Sequence, residues 1–550
     1  MIDASMVQWE IDILRVSGRE IFVTGWLLAP HLGLDTLQLR LIGIDGLSVG
    51  IVQLIDSQSR PDVEKAYPRE EGAERCGFVG VGSWPREFAQ TDRLELEGLI
   101  SKKVVLRLSV RQPAASKAMP KLLMMRQVLR YGRRSLRLLL NGQWKSLIEK
   151  LKRQLGDRPR SNALDTLPVH WIGEISKSEG PGLQLVVDHR LGGGANHYRE
   201  DLVQDWINRG GCILIVTYHL AILQPVLQLI YARGEEQLKL RSWSHLPTLL
   251  SRLELKEITY NTAVSLADPK TLARIILQLK HEHNAMLRIL MHDYYLLCPS
   301  HFLLNQSGQF CGIPSQSECT QCLPNNKYGF TSLFGSDLKS WREIWGQVVQ
   351  HADSIVAFSN DSVKHLQRAY QDWPDGPNWL QNKTINVVPH NLDKRRLRKV
   401  EPPQQHQLII GVVGQIGYHK GSEVIQGLAA TIAAQGGQER ICIIGSLEAA
   451  TDRRIVKQTG PYKRELLFDM IEQSGVNVML FPSIWPETFS YVTQELIQMN
   501  LPLACFNLGA PAERIRDYPK GLVMDSQSPE AVLTALRELF KTCYQTSHKN

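Results

Sequence analysis

Glu487 and Glu495, separated by seven residues, stand in the stretch Pro482-Ser483-Ile484-Trp485-Pro486-Glu487-Thr488-Phe489-Ser490-Tyr491-Val492-Thr493-Gln494-Glu495. The chemistry open to such a pair is recognition of hydroxyl-rich ligands, because an ionised carboxylate accepts hydrogen bonds and sugar hydroxyls donate them. The apolar run from Val476 to Phe481 predicts a strand. Ser490 is a good N-cap for a helix that should stop near Asn500, with Pro502 just beyond. Glu487 then lies in the loop before the helix and Glu495 on its body. A helix N-terminus offers free backbone N–H groups and partial positive charge, so the junction suits a sugar phosphate. Two solvated glutamates on an ordinary helix would have the same spacing, and glutamate is a common surface residue.

Other polar residues fall where apolar runs end. The run Leu183 to Asp188 feeds a loop containing Gly192-Gly193-Gly194-Ala195-Asn196, and a helix should follow through about Asn208. Three glycines let backbone come close to a ligand and expose N–H groups, although a tight turn explains them too. Their spacing is not that of the dinucleotide fingerprint. Leu287 to Met291 runs into His292-Asp293, Ser354 to Phe358 into Ser359-Asn360-Asp361, and Thr384 to Val388 into Pro389-His390. Leu408 to Val413 runs into Gly414-Gln415-Ile416-Gly417-Tyr418-His419-Lys420-Gly421, and Ile441 to Ile444 into Gly445-Ser446. Such strand C-terminal ends are where doubly wound α/β domains keep their sites. An apolar-flanked histidine, taken alone, is more often a satisfied core residue.

Residues 167 to 540 resemble retaining glycosyltransferases of the two-domain GT-B type, glycosyltransferase family 4 in particular, of the kind that builds bacterial polysaccharide and O-antigen. The resemblance rests on the strand, Pro-Ser, Glu-x-Phe, second Glu and helix of 476–500, on the small-residue loop Asn507-Leu508-Gly509-Ala510-Pro511, and on the glycine loop ending in Lys420-Gly421. It implies that Glu487 faces the donor sugar and that Glu495 meets the ribose. Thr488, Phe489 and Ser490 would supply backbone N–H groups, and Lys420, beside Gly414, would meet the donor diphosphate. His292 and Asp293 join Glu487 as catalytic candidates, and Gly192, Gly193, Gly194 and Asn196 would line the cleft near the acceptor. One departure is Gln415, where many members carry arginine; His419 or Arg514 could compensate.

Cys298, Cys311, Cys319 and Cys322 fall within 25 residues and include a C-x2-C pair. Four thiolates can close a tetrahedral zinc site, so a structural zinc is expected here, with free thiols and redox disulfides as the alternatives. Nine cysteines without a secretion signal argue against a disulfide framework.

The elements that must position these groups form more than one domain, since 550 residues exceed a single core. Alternating and β-branched runs across 1–112 predict a small β-sandwich. There Arg60-Pro61-Asp62-Val63 and Cys76-Gly77-Phe78 resemble accessory β-domains fused to bacterial polysaccharide glycosyltransferases. From Lys117 to Arg160, thirteen Lys or Arg face two acids, which more than accounts for the net charge of +8. Leucines at helix-like intervals make 113–165 a basic amphipathic helical connector. Such a helix lies on an anionic membrane surface or packs on a neighbouring domain; aromatic residues for base stacking are scarce, so nucleic acid is not expected. Strands alternate with helices beyond that, giving a Rossmann-like acceptor domain over 166–395, a proline-bearing linker over Asn391 to Gln407, and a Rossmann-like nucleotide-sugar domain over 396–550.

The expectation is a cytoplasmic α/β enzyme, peripheral on the inner face of the membrane. It would be a hexosyltransferase that moves a sugar from a nucleotide sugar to a glycan or lipid-linked glycan with retention, a step that requires no catalytic metal. A non-catalytic glycan-binding scaffold with a degenerate transferase core, to which Gln415 lends support, and a GT-B sugar-nucleotide epimerase are the alternatives.

Overall fold

A computed structural model describes residues 7–110 and 166–544 apart from short stretches, the longer of which are 329–336, 373–379, 391–398 and 401–406. The basic connector expected over 113–165 and most of the linker Asn391 to Gln407 lie outside the described residues. The chain divides into two compact units, one made of 1–179 with 212–253 and the other of 180–211 with 254–550.

The first unit begins with seven antiparallel strands in the order Gln8–Ser17, Glu20–Leu28, Gly77–Ser83, Ser48–Gln58, Thr36–Ile42, Arg93–Ile100, Lys103–Val110. The all-β expectation holds, but these strands make one continuous sheet. The eleven-residue strand Ser48–Gln58 pairs with Thr36–Ile42 through Leu54. Beyond that point it joins Gly77–Ser83 at Ile55 and Gln58, across a register shift. A strand that changes partner at an irregularity turns a corner, so one sheet can fold over its own core. That core includes Ile21, Val23, Leu39, Val52, Phe78, Leu96 and Leu108. Also in this unit, Cys212–His219, Gln224–Tyr231 and Gly234–Lys239 run antiparallel.

The second unit holds two parallel sheets. In the first lobe Leu183–Val187, Leu255–Tyr260, Met286–Leu290, Ser354–Ala357 and Ile385–Val387 lie side by side in that order. Parallel strands are covered on both faces, and Leu183–Val187 is accordingly buried at every position. Asp268, Asp337 and Ser359 cap the helices Pro269–His283, Leu338–His351 and Asn360–Ala369 with side-chain oxygens.

The second lobe has the order Val456–Gln458, Arg440–Leu447, Ile409–Ile416, Val478–Phe481, Leu503–Phe506, Gly521–Met524, all parallel. Counted along the chain this is 3-2-1-4-5-6, so the winding reverses between Ile409–Ile416 and Val478–Phe481. Ligands of doubly wound sheets bind at that reversal, outside the carboxyl ends of the two strands. Both glutamates and Lys420 follow those two strands. Among the described residues no helix is long and apolar enough to cross a membrane.

Candidate active site

Near its end strand Ile409–Ile416 carries Gly414, whose φ is 124°, opposite its register partner Gly445 at 137°. A Cβ on Gly445 would stand 2.0 Å from the Gly414 carbonyl oxygen, so the floor of the crevice is bare backbone. The chain then makes a short helical turn, Tyr418–Lys420, and enters the helix Ser422–Ala434 through Gly421 at φ 83°. A Cβ there would lie 2.0 Å from the Pro482 carbonyl oxygen, so the lysine loop and the glutamate loop touch through backbone. Gln415 is exposed.

Glu487 is 7% exposed. Its backbone is clamped from behind: Ala510 N–H donates to its carbonyl at 2.8 Å. A Cβ on Gly509, at φ 62°, would come within 2.5 Å of that same oxygen. Burial raises the carboxyl pKa, while the nearby charge of Lys420 and the Ser483 hydroxyl pull it down. Its Oε1 is buried without a hydrogen-bond partner.

Ser490 caps the helix Tyr491–Gln498 by accepting from Thr493 N–H at 3.2 Å, as the sequence predicts. Glu495, 4% exposed, sits on the inner side of that helix. Arg464 reaches it with Nε at 2.6 Å and a terminal nitrogen at 2.5 Å, both on Oε1, and lies 4.9 Å above the Tyr491 ring. Burial raises the Glu495 pKa and Arg464 opposes it. Arg464 is a residue that sequence reading missed. The signal that could have found it is the need of a buried carboxylate for a cation, with Lys463-Arg464 just ahead of the helix Leu467–Ser474.

The first lobe brings its candidates to the same loop. The Thr488 hydroxyl donates to the His292 carbonyl at 2.8 Å, and Tyr294 OH donates to the Pro486 carbonyl at 2.8 Å. The ring of Phe489 stacks on His390 at 4.2 Å. A Cβ on Gly194 would meet the Tyr491 ring at 3.3 Å, so the triple-glycine loop abuts the start of the glutamate helix. His292 is enclosed: burial holds its pKa well below the usual imidazole range, and its Nε2 has no partner.

Asp293 and Asn196 are engaged internally. Asp293 accepts from the Thr262 hydroxyl at 2.5 Å and from Tyr295 N–H at 2.8 Å, which ties two strand ends together. Burial raises its pKa against those two hydrogen bonds. Asn196 accepts from Gly192 N–H at 2.7 Å and donates to Asp188 at 2.9 Å, so its amide shapes the glycine loop. Gly192 and Gly193 take φ of 83° and 90°, conformations that glycine adopts freely.

The cysteine segment flanks the lysine loop: Phe302 stacks on His419 at 4.2 Å and Tyr328 on Tyr418 at 4.5 Å. Among the described residues no group of three or more His, Cys, Asp or Glu side chains is placed to hold a metal ion. Cys298 packs with Cys319, Leu323 and Leu338. Cys311 accepts from Ile313 N–H and Cys322 from the Asn326 amide, each at 3.4 Å. Burial raises the thiol pKa of Cys298, Cys311 and Cys319. The thiols also lie close enough to one another for the charge of each to disfavour ionisation of the next, from Cys298 through Cys311 and Cys319 to Cys322.

Residues 393–547 match the family model described as Glycosyl transferases group 1. The matched residues are those of the second lobe. No curated protein matches the chain. Among solved structures the chain is similar to sucrose-phosphate synthase from Thermosynechococcus elongatus, at 13% identity over 65% of this chain and 89% of that one, with a TM-score of 0.43. It is similar to Anabaena HepE in complex with UDP and glucose at 14% identity, over 66% of this chain and 90% of that one, TM-score 0.41. A glycosyltransferase from Rickettsia africae gives 14% identity, 66% and 88% coverage and a TM-score of 0.41. At these scores the likeness is loose.

Proposed function

We propose that this protein transfers a hexosyl group from a nucleotide sugar to a glycan or lipid-linked glycan with retention at the anomeric carbon, in the synthesis of a cell-surface polysaccharide. The observation that carries the reading is the buried Glu487 carboxyl, with one oxygen unpartnered, at the winding reversal of a glycosyltransferase group 1 domain. A buried carboxyl oxygen without a partner is costly to keep, and a sugar hydroxyl would satisfy it.

In this reading the diphosphate lies between Lys420 and the N-terminal end of the helix capped by Ser490. As the bond from the anomeric carbon to the phosphate oxygen breaks, negative charge grows on the departing nucleoside diphosphate. Lys420 and the positive helix end stabilise it there. Glu487 orients the sugar through its hydroxyls. Glu495 takes the ribose hydroxyls when Arg464 yields its place, and Arg464, with three further N–H donors, adds positive charge at the rim. The acceptor hydroxyl enters past Gly192–Gly194 and gives its proton to the phosphate oxygen that leaves the anomeric carbon, and the lobes exclude water while the new bond forms.

The test is a thermal-shift panel of UDP, GDP, dTDP and ADP on the wild-type chain and on Glu495→Ala and Lys420→Ala. A nucleotide at a hundred times its Kd stabilises the folded state by about 2.7 kcal/mol. One nucleotide should raise the melting temperature, and both substitutions should abolish that rise. No shift from any nucleotide at millimolar concentration would overturn the reading.

A further inference from the structure

His390 follows the last strand of the first lobe, and its ring is 7% exposed. Five rings wall it in: Phe358 at 4.1 Å, Phe489 at 4.2 Å, Tyr198 at 4.8 Å, Tyr491 at 5.1 Å and His292 at 5.3 Å between centroids. Both of its ring nitrogens are buried, and neither has a hydrogen-bond partner. Packing does not account for an imidazole here. A phenyl ring would stack on Phe489 equally well and leave nothing polar unsatisfied.

Buried polar atoms without partners on His292 and on the glutamate loop and its helix include His292 Nε2, Glu487 Oε1 and Thr493 Oγ1, and Arg514, whose Nε also lacks a partner, lies 5.1 Å over the Phe489 ring. Two of the residues are tied to one loop, since Thr488 bonds the His292 carbonyl and Phe489 stacks on His390. A neutral imidazole presents one N–H and one lone pair, a hydroxyl both donates and accepts, and a carboxylate accepts. Sugar hydroxyls, each donor and acceptor at once, match such a mixture, and the aromatic rings supply faces for the C–H surface of a pyranose.

We propose that His390 is a specificity-determining residue that reads a hydroxyl of the donor's sugar from within this aromatic box. The proposal rests on the glycosyl-transfer reading above and adds a residue to it. It separates the two halves of the donor: Lys420 and Glu495 serve the nucleotide, whereas His390 serves only the sugar.

Calorimetric titration of the full chain with UDP, GDP, dTDP and ADP, and with their glucose, galactose, mannose and N-acetylglucosamine conjugates, tests it. His390→Phe should weaken the best-bound nucleotide sugar by about tenfold or more, as loss of a buried hydrogen bond does. The Kd of the matching free diphosphate should stay within about twofold of the wild type, because the substitution touches only the sugar end. His390→Asn, which keeps a donor and an acceptor, should recover part of the preference. Should the phenylalanine variant not fold, His390→Leu against His390→Asn gives the same contrast. Equal losses for sugar nucleotide and diphosphate, no loss for either, or a wild type that gains nothing from any of the sugars would each overturn the proposal. Failure of the wild type to bind any diphosphate would instead overturn the transferase reading itself.

Discussion

At the scale of single residues, Glu487 is held in a state that folding alone does not favour. Burial raises its pKa in the folded chain, so the unfolded chain gives up that proton at lower pH. The stability it contributes is therefore complete below the ordinary carboxyl range, near pH ~4, and is lost as pH rises through the raised value. Glu487→Gln has no proton to lose. It should be more stable than wild type at neutral pH by about 1–2 kcal/mol, with the difference closing as pH falls toward ~4. Thermal melts of both proteins across that range, beside an assay of sugar transfer, test this. A variant less stable than wild type at pH 7 would show that the carboxylate serves the fold. Much of this site was legible from residue order, because Glu487, Ser490 and Glu495 belong to one local strand, loop and helix. Arg464 was not, since it meets Glu495 across 31 residues from a short helical turn, Arg464–Leu466, too brief to carry a periodic pattern. Nor could sequence show that Asn196 and Asp293 turn their polar atoms inward.

At the scale of elements, alternating apolar runs and turn residues announced both parallel lobes, because buried strands and glycine loops are local signals. The first domain was legible only as all-β. That one strand serves two partners goes with a register shift between Ile55 and Gln58, which composition does not encode. What does follow from the elements is the role of Gly509. Its φ of 62° and the 2.5 Å approach of a Cβ to the Glu487 carbonyl make it the hinge pin of the glutamate loop. Gly46, at φ 78° in an open hairpin with no atom within 4 Å of its Cβ, isolates the backbone cost. Gly46→Ala should cost about 1–2 kcal/mol in urea unfolding. Gly509→Ala should cost about 1–3 kcal/mol more, because the loop must shift, and should erase any nucleotide-induced stabilisation. If the two substitutions prove equally mild, the loop is not clamped from behind.

At the scale of the whole molecule, charge is distributed unevenly. The thirteen basic residues between Lys117 and Arg160 outweigh the net +8 of the chain, so everything else is slightly acidic. The segment falls outside the described residues, and its role is argued from sequence alone. A lipid-linked acceptor would lie at a membrane surface, and a basic leucine-rich segment would bring a transferase to it by attraction to anionic lipid. Each basic side chain near such a surface contributes about 1 kcal/mol, and the effect fades within a Debye length of about 10 Å at 0.1 M salt. The chain should therefore sediment with vesicles containing phosphatidylserine, far less with phosphatidylcholine alone, and progressively less as salt rises. Replacing Arg126, Arg130, Arg133, Arg134 and Arg137 with glutamine should weaken binding at least about a hundredfold, since several such contributions are lost together. The thermal response to nucleotide should be untouched, because the nucleotide site proposed above lies in the second lobe. Binding that ignores lipid charge, or that survives those five substitutions, would leave the segment as a connector whose charges are simply solvated.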